Sequence, residues 1–250
     1  MPFLGIDVGG SGIKGALVDT ETGQLVTERI RIPSPPTFQP QEVLATIQTL
    51  IEQLNYHGPV GVGFPAVVQD GIVMTPPTAK AFPNWEGINL AQEITTTTRC
   101  PTIVWNDADV AGLAEVTFGA GQGVSGVIMV FTLGTGIGSA MFVNGRLVPN
   151  LELGRLYLRH KKKTAEHLMS DLIRKQEDLS WEKWGNRLNK YFQYIELLFW
   201  PNLIIIGGGV SKKHDRFLPY IHTRTPITAA QLRNEAGLIG AALAAATILT

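Results

Sequence analysis

Hydrophobic residues near the N-terminus form short continuous runs that are separated by glycines and polar turn residues, a pattern typical of buried strands. Phe3–Val8 and Ala16–Asp19 are two such runs, and Gln24–Ile32 predicts a third strand after the turn sequence DTETG. The chain is therefore predicted to begin as a meander, in which a glycine-rich segment connects one strand directly to the next.

The hydrophobic spacing becomes helical after the proline-rich segment 33–40, which is predicted to be a loop. Val60–Phe64 predicts another buried strand, and Asp70-Gly71 a hairpin turn. The apolar face of the predicted helix between the loop and that strand consists of Val43, Leu44, Ile47, Leu50, Ile51 and Leu54.

The strand–glycine–strand pattern occurs again between Gly126 and Val148. GIKGALV (Gly12–Val18) resembles GIGSAMF (Gly136–Phe142), and GQLV resembles GRLV, at an offset of about 122–124 residues. Chance similarity between glycine-rich hairpins is the alternative, whereas a true repeat predicts two similar α/β domains. The remaining predicted elements are helices over Lys163–Lys175, Ser180–Phe199 and Ala236–Ile248 and a strand over Leu203–Ile206.

Composition excludes several classes of protein. The 250 residues include 21 basic and 21 acidic side chains, so no bulk field favours nucleic acid or an anionic membrane. The single cysteine, Cys100, excludes a disulfide framework and a multi-cysteine zinc site. No apolar run approaches the roughly 20 residues of a membrane span, and no signal-like N-terminus is present. We therefore expect a cytoplasmic protein without nucleic-acid or membrane partners.

The first glycine segment, FLGIDVGGSGIK, fits neither a P-loop nor a dinucleotide-binding fingerprint, because both require a helix after the glycines and a strand is predicted here. A glycine turn between strands instead exposes backbone N–H groups that bind anions. Ser11 adds a hydroxyl, Lys14 a positive charge, and Asp7 a carboxylate able to hold a water of Mg²⁺. The predicted phosphate contacts in this segment are Asp7, Gly9, Gly10, Ser11, Gly12 and Lys14.

Two later glycine segments carry the same prediction. LGTGIG (Leu133–Gly138) offers a second turn and the Thr135 hydroxyl, while GGGVS (Gly207–Ser211) follows an apolar strand. Ordinary tight turns are the alternative explanation for each loop taken singly. The predicted phosphate contacts here are Gly134, Thr135, Gly136, Gly207, Gly208, Gly209 and Lys212.

Asn106 and Asp107 are the strongest candidates for catalysis. Thr102–Trp105 is predicted to be a strand that ends at this pair, before a helix from Ala108 to about Phe118. Asp107 is placed to accept a hydroxyl proton during phosphoryl transfer, and Asn106 to hold a second hydroxyl. The alternative is that Asp107 only caps the helix.

Glu152, in the sequence NLELGR, is a candidate for binding sugar hydroxyls, and an ordinary surface acid is the alternative.

Several of these motifs together resemble the ROK sugar kinases, and within them the polyphosphate glucokinase branch. The resemblance extends from Phe3 to the final helix and includes DVGGSGIK, NDAD, TLGTGIG and WPNLIIIGGGVSKK. It implies an α/β, actin-like (ribonuclease H-like) two-domain sugar-kinase fold with a duplicated βββαβαβα unit. The expected domains are 1–107, with helix 236–250 packed back onto it, and 108–235, with the active-site cleft between them.

The resemblance also implies the reaction. A terminal phosphoryl group would pass from polyphosphate to the 6-hydroxyl of glucose or a related hexose. ATP would be a further donor. Asp107 would be the general base, Asn106 and Glu152 would hold sugar hydroxyls, and the glycine loops would hold the donor with Mg²⁺. The family is usually dimeric, so we expect a homodimer. The zinc site of many ROK proteins is not expected here, because the chain lacks its cysteines.

The acceptor side departs from the family pattern. Arg155 stands where the family commonly has a sugar-contacting histidine, and it is a permanently charged donor. Lys80 lies near the position of a usual sugar-binding asparagine, with Asn84 displaced. Glucose is thus one expectation for the acceptor. The alternative is a non-catalytic or altered-specificity protein that binds a sugar or polyphosphate.

Overall fold

A computed structural model describes residues 1–77, 82–158 and 162–249 of the chain. The chain forms two compact units: Met1–Ala114 together with Glu235–Thr250, and Glu115–Asn234. The predicted domain boundaries, 107/108 and 235/236, lie near the ends of these units.

The described residues form groups of strands followed by helices. The strands are β1 (Pro2–Gly9), β2 (Gly12–Asp19), β3 (Gln24–Leu25), β4 (Ile30–Ile32), β5 (Val60–Phe64), β6 (Val68–Gln69), β7 (Ile72–Val73), β8 (Thr102–Asn106), β9 (Val127–Leu133), β10 (Ile137–Val143), β11 (Arg146–Val148), β12 (Leu203–Gly207) and β13 (Ile227–Ala229). The α-helices are α1 (Pro40–Gln53), α2 (Leu90–Thr98), α3 (Asp107–Phe118), α4 (Glu166–Met169), α5 (Asp171–Gln176), α6 (Trp181–Phe199) and α7 (Ala236–Ala246). Short 3₁₀ segments are Leu153–Arg155, Gly209–Arg216, Leu218–Tyr220 and Thr247–Leu249.

The two units contain sheets of the same strand order. The first sheet runs β3-β2-β1-β5-β8, with β4 also paired to β2, and the second runs β11-β10-β9-β12-β13. In each sheet the first three strands are antiparallel and the last two join in parallel. This repetition confirms the prediction of a duplicated α/β unit.

Two segments that were each predicted to form one continuous element are divided into two elements in the structure. Gln24–Ile32 is not one strand, because β3 and β4 pair with different parts of β2, and the Thr27 hydroxyl accepts a bond from the Leu17 amide between them. Lys163–Lys175 is not one helix, because Ser170 is extended (φ −61°, ψ 158°) and caps α5 with its hydroxyl.

Two elements were not predicted from the sequence. Helix α2 ends in four threonines, which have low helix propensity, and it is capped by Asn89, whose side chain accepts a bond from the Gln92 amide. Strand β13 has only three residues, and its pairing with β12 depends on a neighbour distant in sequence. Among the described residues, none of the helices combines the length and hydrophobicity that crossing a bilayer requires.

The closing helix α7 lies very close to the first sheet. A Cβ at Gly5 would lie 1.9 Å from the Leu238 carbonyl oxygen, and one at Gly61 would lie 1.7 Å from that of Ala241. Glycines in β1 and β5 therefore permit direct contact between strand and helix backbones. This contact attaches the C-terminal helix to the N-terminal unit.

We predict that Gly61→Ala destabilises the protein by about 3 kcal/mol or more, because the new methyl group overlaps the α7 backbone. Urea unfolding followed by far-ultraviolet circular dichroism measures the change. Gly10→Ala is the control, since no atom lies within 4 Å of its Cβ position. Equal stability of the Gly61 variant and the natural protein would contradict the packing described.

Candidate active site

The first glycine segment is a tight hairpin between β1 and β2. Gly9 pairs with Gly12 in the antiparallel ladder, so Gly10 and Ser11 alone make the connection. As predicted, a strand and not a helix follows the glycines. The turn therefore presents backbone groups at the end of a hairpin, unlike a P-loop.

Asp7 and Lys14 lie opposite each other on this hairpin. Lys14 Nζ is 2.8 Å from Asp7 Oδ2, and the two side chains are about a quarter and a fifth exposed, with relative areas of 26% and 20%. The start of α7 adjoins the pair, because a Cβ at Gly237 would lie 3.0 Å from Asp7 Cγ. The hairpin register thus brings the predicted carboxylate and cation together.

The second glycine segment is the hairpin between β9 and β10. Leu133 pairs with Ile137, which leaves three residues, including Thr135, to form the connection. The Leu172 amide of α5 donates to the Gly134 carbonyl at 3.1 Å. The second loop is therefore attached to α5, a helix of the same unit.

Three glycines, one in each predicted phosphate loop, have no structural need to be glycine. Gly10, Gly134 and Gly209 have φ outside the left-handed region and no atom within 4 Å of a Cβ position. Three other glycines also have open space at the Cβ position. Each of them has a positive φ, however, and this backbone conformation by itself favours glycine. Those other glycines are Gly87, Gly123 and Gly145.

The remaining loop glycines have neighbours on the Cβ side. A Cβ at Gly12 would lie 2.6 Å from Arg31 Nε, and one at Gly136 would lie 2.7 Å from Glu166 Oε2. Gly208 has φ +82° and adjoins the Leu133 backbone. A Cβ would make a close contact of 3.2 Å at Gly9 but only ordinary contacts of 3.7 Å at Gly207.

Asn106 is the buried cap of α3. Its Oδ1 accepts bonds from the amides of Ala108 at 2.8 Å and Asp109 at 3.2 Å, and its Nδ2 donates to the Ala66 carbonyl at 3.0 Å. Asp107 is half-buried and is the first residue of the helix. The capping role considered for Asp107 is thus performed by Asn106.

Glu152 follows β11 and is held beside the start of β10 by a serine and a glycine. The Ser139 hydroxyl donates to the Leu151 carbonyl and accepts from the Leu153 amide at 2.9 Å. A Cβ at Gly154 would lie 2.2 Å from the Ile137 carbonyl oxygen, so only glycine allows this approach. The Glu152 carboxylate pairs with Arg155, whose Nε lies 3.1 Å from Oε2.

A second carboxylate, Glu166, lies in the same region of this unit. Burial raises the pKa of Glu152, the Arg155 charge lowers it, and the Glu166 charge raises it, with a net upward shift. Burial and the Glu166 charge also raise the pKa of Tyr191, whose buried hydroxyl has no hydrogen-bond partner among the described residues. Sequence reasoning missed Glu166, which lies in a four-residue helix and in none of the motifs considered.

The displaced asparagine, Asn84, makes a hydrogen bond within its own unit. Asn84 is exposed, has φ 68°, and donates through Nδ2 to Gln39 Oε1 at 3.0 Å. Lys80 is outside the described residues.

A basic pocket of about 350 Å³ lies beside two of the glycine loops in the second unit. Gly134, Thr135 and Gly209 line it, and so does Lys213 rather than the predicted Lys212. Sequence reasoning did not include Asp171, Arg174, Lys175 and Trp181, which complete its polar and aromatic lining.

Comparison with known protein families shows which family the chain belongs to. The sequence model of the ROK family matches residues 3–151, more than half of the chain. The chain belongs to the ROK family.

Individual known proteins resemble the chain over nearly its whole length. A polyphosphate glucokinase of Mycobacterium tuberculosis is 41% identical over 96% of this chain and 90% of its own. The crystal structure of an inorganic polyphosphate/ATP-glucomannokinase from Arthrobacter sp. strain KM matches with a TM-score of 0.93 and 43% identity, over 99% of both chains. A ROK family glucokinase from Streptomyces griseus is 22% identical with a TM-score of 0.84, over 99% and 100% of the chains. These similarities confirm the predicted actin-like α/β sugar-kinase fold.

We predict that Gly134→Ala raises the KM for the phosphoryl donor about tenfold without loss of stability, because the added methyl group would enter only the open space where we expect a donor phosphate to bind. Steady-state kinetics and thermal unfolding measure the two effects. Gly145→Ala, at φ +78°, should do the reverse: it destabilises the fold by about 1 kcal/mol and leaves KM unchanged. An unchanged donor KM in Gly134→Ala would count against phosphate binding at this loop.

The proximity of Glu152 and Glu166 gives a prediction about the pKa of Glu152. Glu152 should titrate above 4.5, its ordinary pKa, in carboxyl-detected NMR. Glu166→Gln removes a neighbouring negative charge and should lower that pKa, whereas Arg155→Gln removes a positive charge and should raise it. Shifts of the opposite sign would show that these charges do not act on Glu152 as described.

Proposed function

We propose that the protein is a phosphotransferase that moves the terminal phosphoryl group of inorganic polyphosphate, with ATP as a second donor, to the 6-hydroxyl of glucose or a related hexose. The observation that carries the proposal is the open space at Gly10, Gly134 and Gly209, because glycine turns of this kind expose amides to phosphate oxygens. Additional support comes from relatives with 41% and 43% identity, a polyphosphate glucokinase and a polyphosphate/ATP-glucomannokinase.

Asp107 is the proposed general base. In the proposed reaction the hexose hydroxyl oxygen attacks the terminal phosphorus while Asp107 accepts the hydroxyl proton. The bond from that phosphorus to its bridging oxygen breaks, and the donor leaves shortened by a phosphate. The position of Asp107 at the end of a buried parallel strand, beside a helix cap made by another residue, supports this role.

Asn106 and Glu152 are the proposed contacts of sugar hydroxyls. Asn106 donates one N–H to Ala66 and retains a second for a ligand. The pKa of Glu152 is raised, and a more basic carboxylate accepts stronger hydrogen bonds once it is ionised. Glu166, which acts electrostatically on Glu152, is a further proposed member of this group.

Mg²⁺ is the proposed metal, with Asp7 as its ligand through a water. Within the described ranges no three His, Cys, Asp or Glu side chains converge on one point. Asp7 is a single carboxylate, one-fifth exposed and ion-paired with Lys14, so contact through a water suits it, and Mg²⁺ keeps several waters and binds mainly to the donor phosphates. When bound, the ion would neutralise negative charge on the donor. The other proposed donor contacts are Ser11, Lys14, Thr135 and Lys212.

A homodimer in the cytoplasm is also part of the proposal. The family resemblance supports the dimer, and the sequence-based expectations support the location.

A second candidate function is binding of a hexose or polyphosphate without transfer, or with an altered acceptor. The Glu152–Arg155 ion pair favours it, because a carboxylate bound by arginine is less available to a sugar. The similarity to polyphosphate-using kinases favours the enzyme.

A panel of hexoses, incubated with Mg²⁺ and either polyphosphate or ATP, distinguishes the two functions. We expect a hexose 6-phosphate, detected by ³¹P NMR. Absence of product with every hexose would reject the enzyme and favour the binding protein. Activity that arises only in Arg155→His would assign the difference to the Glu152–Arg155 pair.

We predict that Asp107→Asn reduces kcat at least about 10²-fold, the size expected for a lost general base. Folding should be unaffected, because Asn106 and not Asp107 caps α3. The matched control is Asp70→Asn, the same chemical change at an exposed hairpin turn with φ 50°, where asparagine is well tolerated. Turnover of the Asp107 variant at the natural rate would refute the assignment.

A further inference from the structure

Two side chains from outside the glycine segments bind the backbone of the first glycine turn. Arg31 Nη2 donates to the Ser11 carbonyl at 2.6 Å, and the Ser34 hydroxyl donates to the Gly9 carbonyl at 2.5 Å. All four residues belong to the first unit. Two carbonyl oxygens of the turn are thus held by hydrogen bonds from side chains that lie 20 and 25 residues further along the chain.

Ser34 reaches the turn from a restrained segment of the chain. It lies between Pro33 and Pro35 and is half-buried. A proline has a fixed φ, and it also confines the residue before it to extended backbone. The Ser34 hydroxyl is therefore presented to the Gly9 carbonyl by a backbone with little conformational freedom.

Arg31 belongs to a row of charged residues that crosses three strands of the first sheet. It lies on β4 opposite Lys14 of β2, and Lys14 lies opposite Asp7 of β1. Asp7 forms an ion pair with Lys14, whereas Arg31 has no acidic partner among the described residues. Like charges at opposite positions destabilise a sheet, so the row favours an additional anion near this end of the hairpin.

Gly12 allows the Arg31 guanidinium to lie against the hairpin. A Cβ at position 12 would lie 2.6 Å from Arg31 Nε and 2.7 Å from Cζ. A side chain there would displace the guanidinium from the Ser11 carbonyl. This glycine therefore has a structural reason that is separate from the predicted phosphate contact.

We propose that Arg31 and Ser34 are positioning residues for the phosphoryl donor, which hold two carbonyls of the first glycine turn so that the amides of the turn face the donor phosphates. A carbonyl oxygen that faced a phosphate would repel it, and a turn whose peptide planes rotated freely would lose the orientation that an anion requires. Both side chains act through the backbone and need no contact with the donor. The inference rests on the proposed function, because it concerns the donor of that reaction.

Ser34→Ala tests the inference, because it removes one of the two hydrogen bonds and changes no charge. Titration calorimetry measures binding of tripolyphosphate with Mg²⁺, and separately of glucose, without any turnover. We expect the variant to bind tripolyphosphate about tenfold more weakly, the usual loss for one hydrogen bond in a partly buried site, and to bind glucose unchanged. Ser34→Thr keeps the hydroxyl and should restore the affinity for tripolyphosphate.

Arg31→Met removes the second hydrogen bond together with a positive charge. Arg29→Met is the matched control, because it removes the same charge from an exposed position two residues earlier in the chain. Long-range attraction alone would weaken tripolyphosphate binding similarly in both variants. We expect a loss of about tenfold for Arg31→Met and less than about twofold for Arg29→Met, with unfolding midpoints measured for both.

The inference is overturned if Ser34→Ala binds tripolyphosphate like the natural protein, or if Ser34→Thr does not restore the affinity. It is also overturned if Ser34→Ala weakens glucose and tripolyphosphate equally and lowers the unfolding midpoint, because the hydroxyl would then serve only the stability of the unit. Failure of the proposed function gives a different result: tripolyphosphate binding depends on Ser34 and Arg31, but no hexose is phosphorylated. Hexose phosphorylation with unchanged tripolyphosphate binding in both variants would retain the function and reject the positioning role.

Discussion

The contact between the backbone of α7 and strands β1 and β5 is the constraint on which the N-terminal unit depends. Neither strand can carry a side chain at Gly5 or Gly61, because a Cβ would overlap a helix carbonyl. The contact fixes β1, which ends in the Gly9–Gly12 hairpin and carries Asp7 beside the start of α7. The end of this sheet, where phosphate binding and proton transfer are proposed, therefore has a rigid support.

In the second unit, a glycine again allows close contact with a neighbouring backbone, and here the contact positions Glu152. Gly154 lies against the Ile137 carbonyl, and Ser139 binds the backbone on both sides of Glu152. Glycines that permit such contacts are distinguishable from glycines that leave space open. Gly10, Gly134 and Gly209 belong to the second kind, and the open space beside them leaves room for the ligand that we propose.

Features that depend on local sequence could be predicted, and features that depend on distant neighbours could not. The hairpin glycines, the end of β8 at Asn106 and the repeated strand order follow from short patterns. Whether Asn106 or Asp107 caps α3 could not be predicted, because both residue types are good caps. Glu166 lies near Glu152, and Arg174 and Trp181 line the basic pocket, only because of tertiary packing. No local sequence pattern marks these three residues.

The central claim is that the open glycine turns bind the phosphates of the donor. Amide chemical shifts, recorded while Mg²⁺ and tripolyphosphate are added, test it most directly, with the structurally required Gly87, Gly123 and Gly145 as internal references. The account predicts that the amides in the turns of Gly10, Gly134 and Gly209 shift strongly and saturate together, while the reference amides do not move. Saturable binding of tripolyphosphate that leaves all three turns unshifted would contradict it.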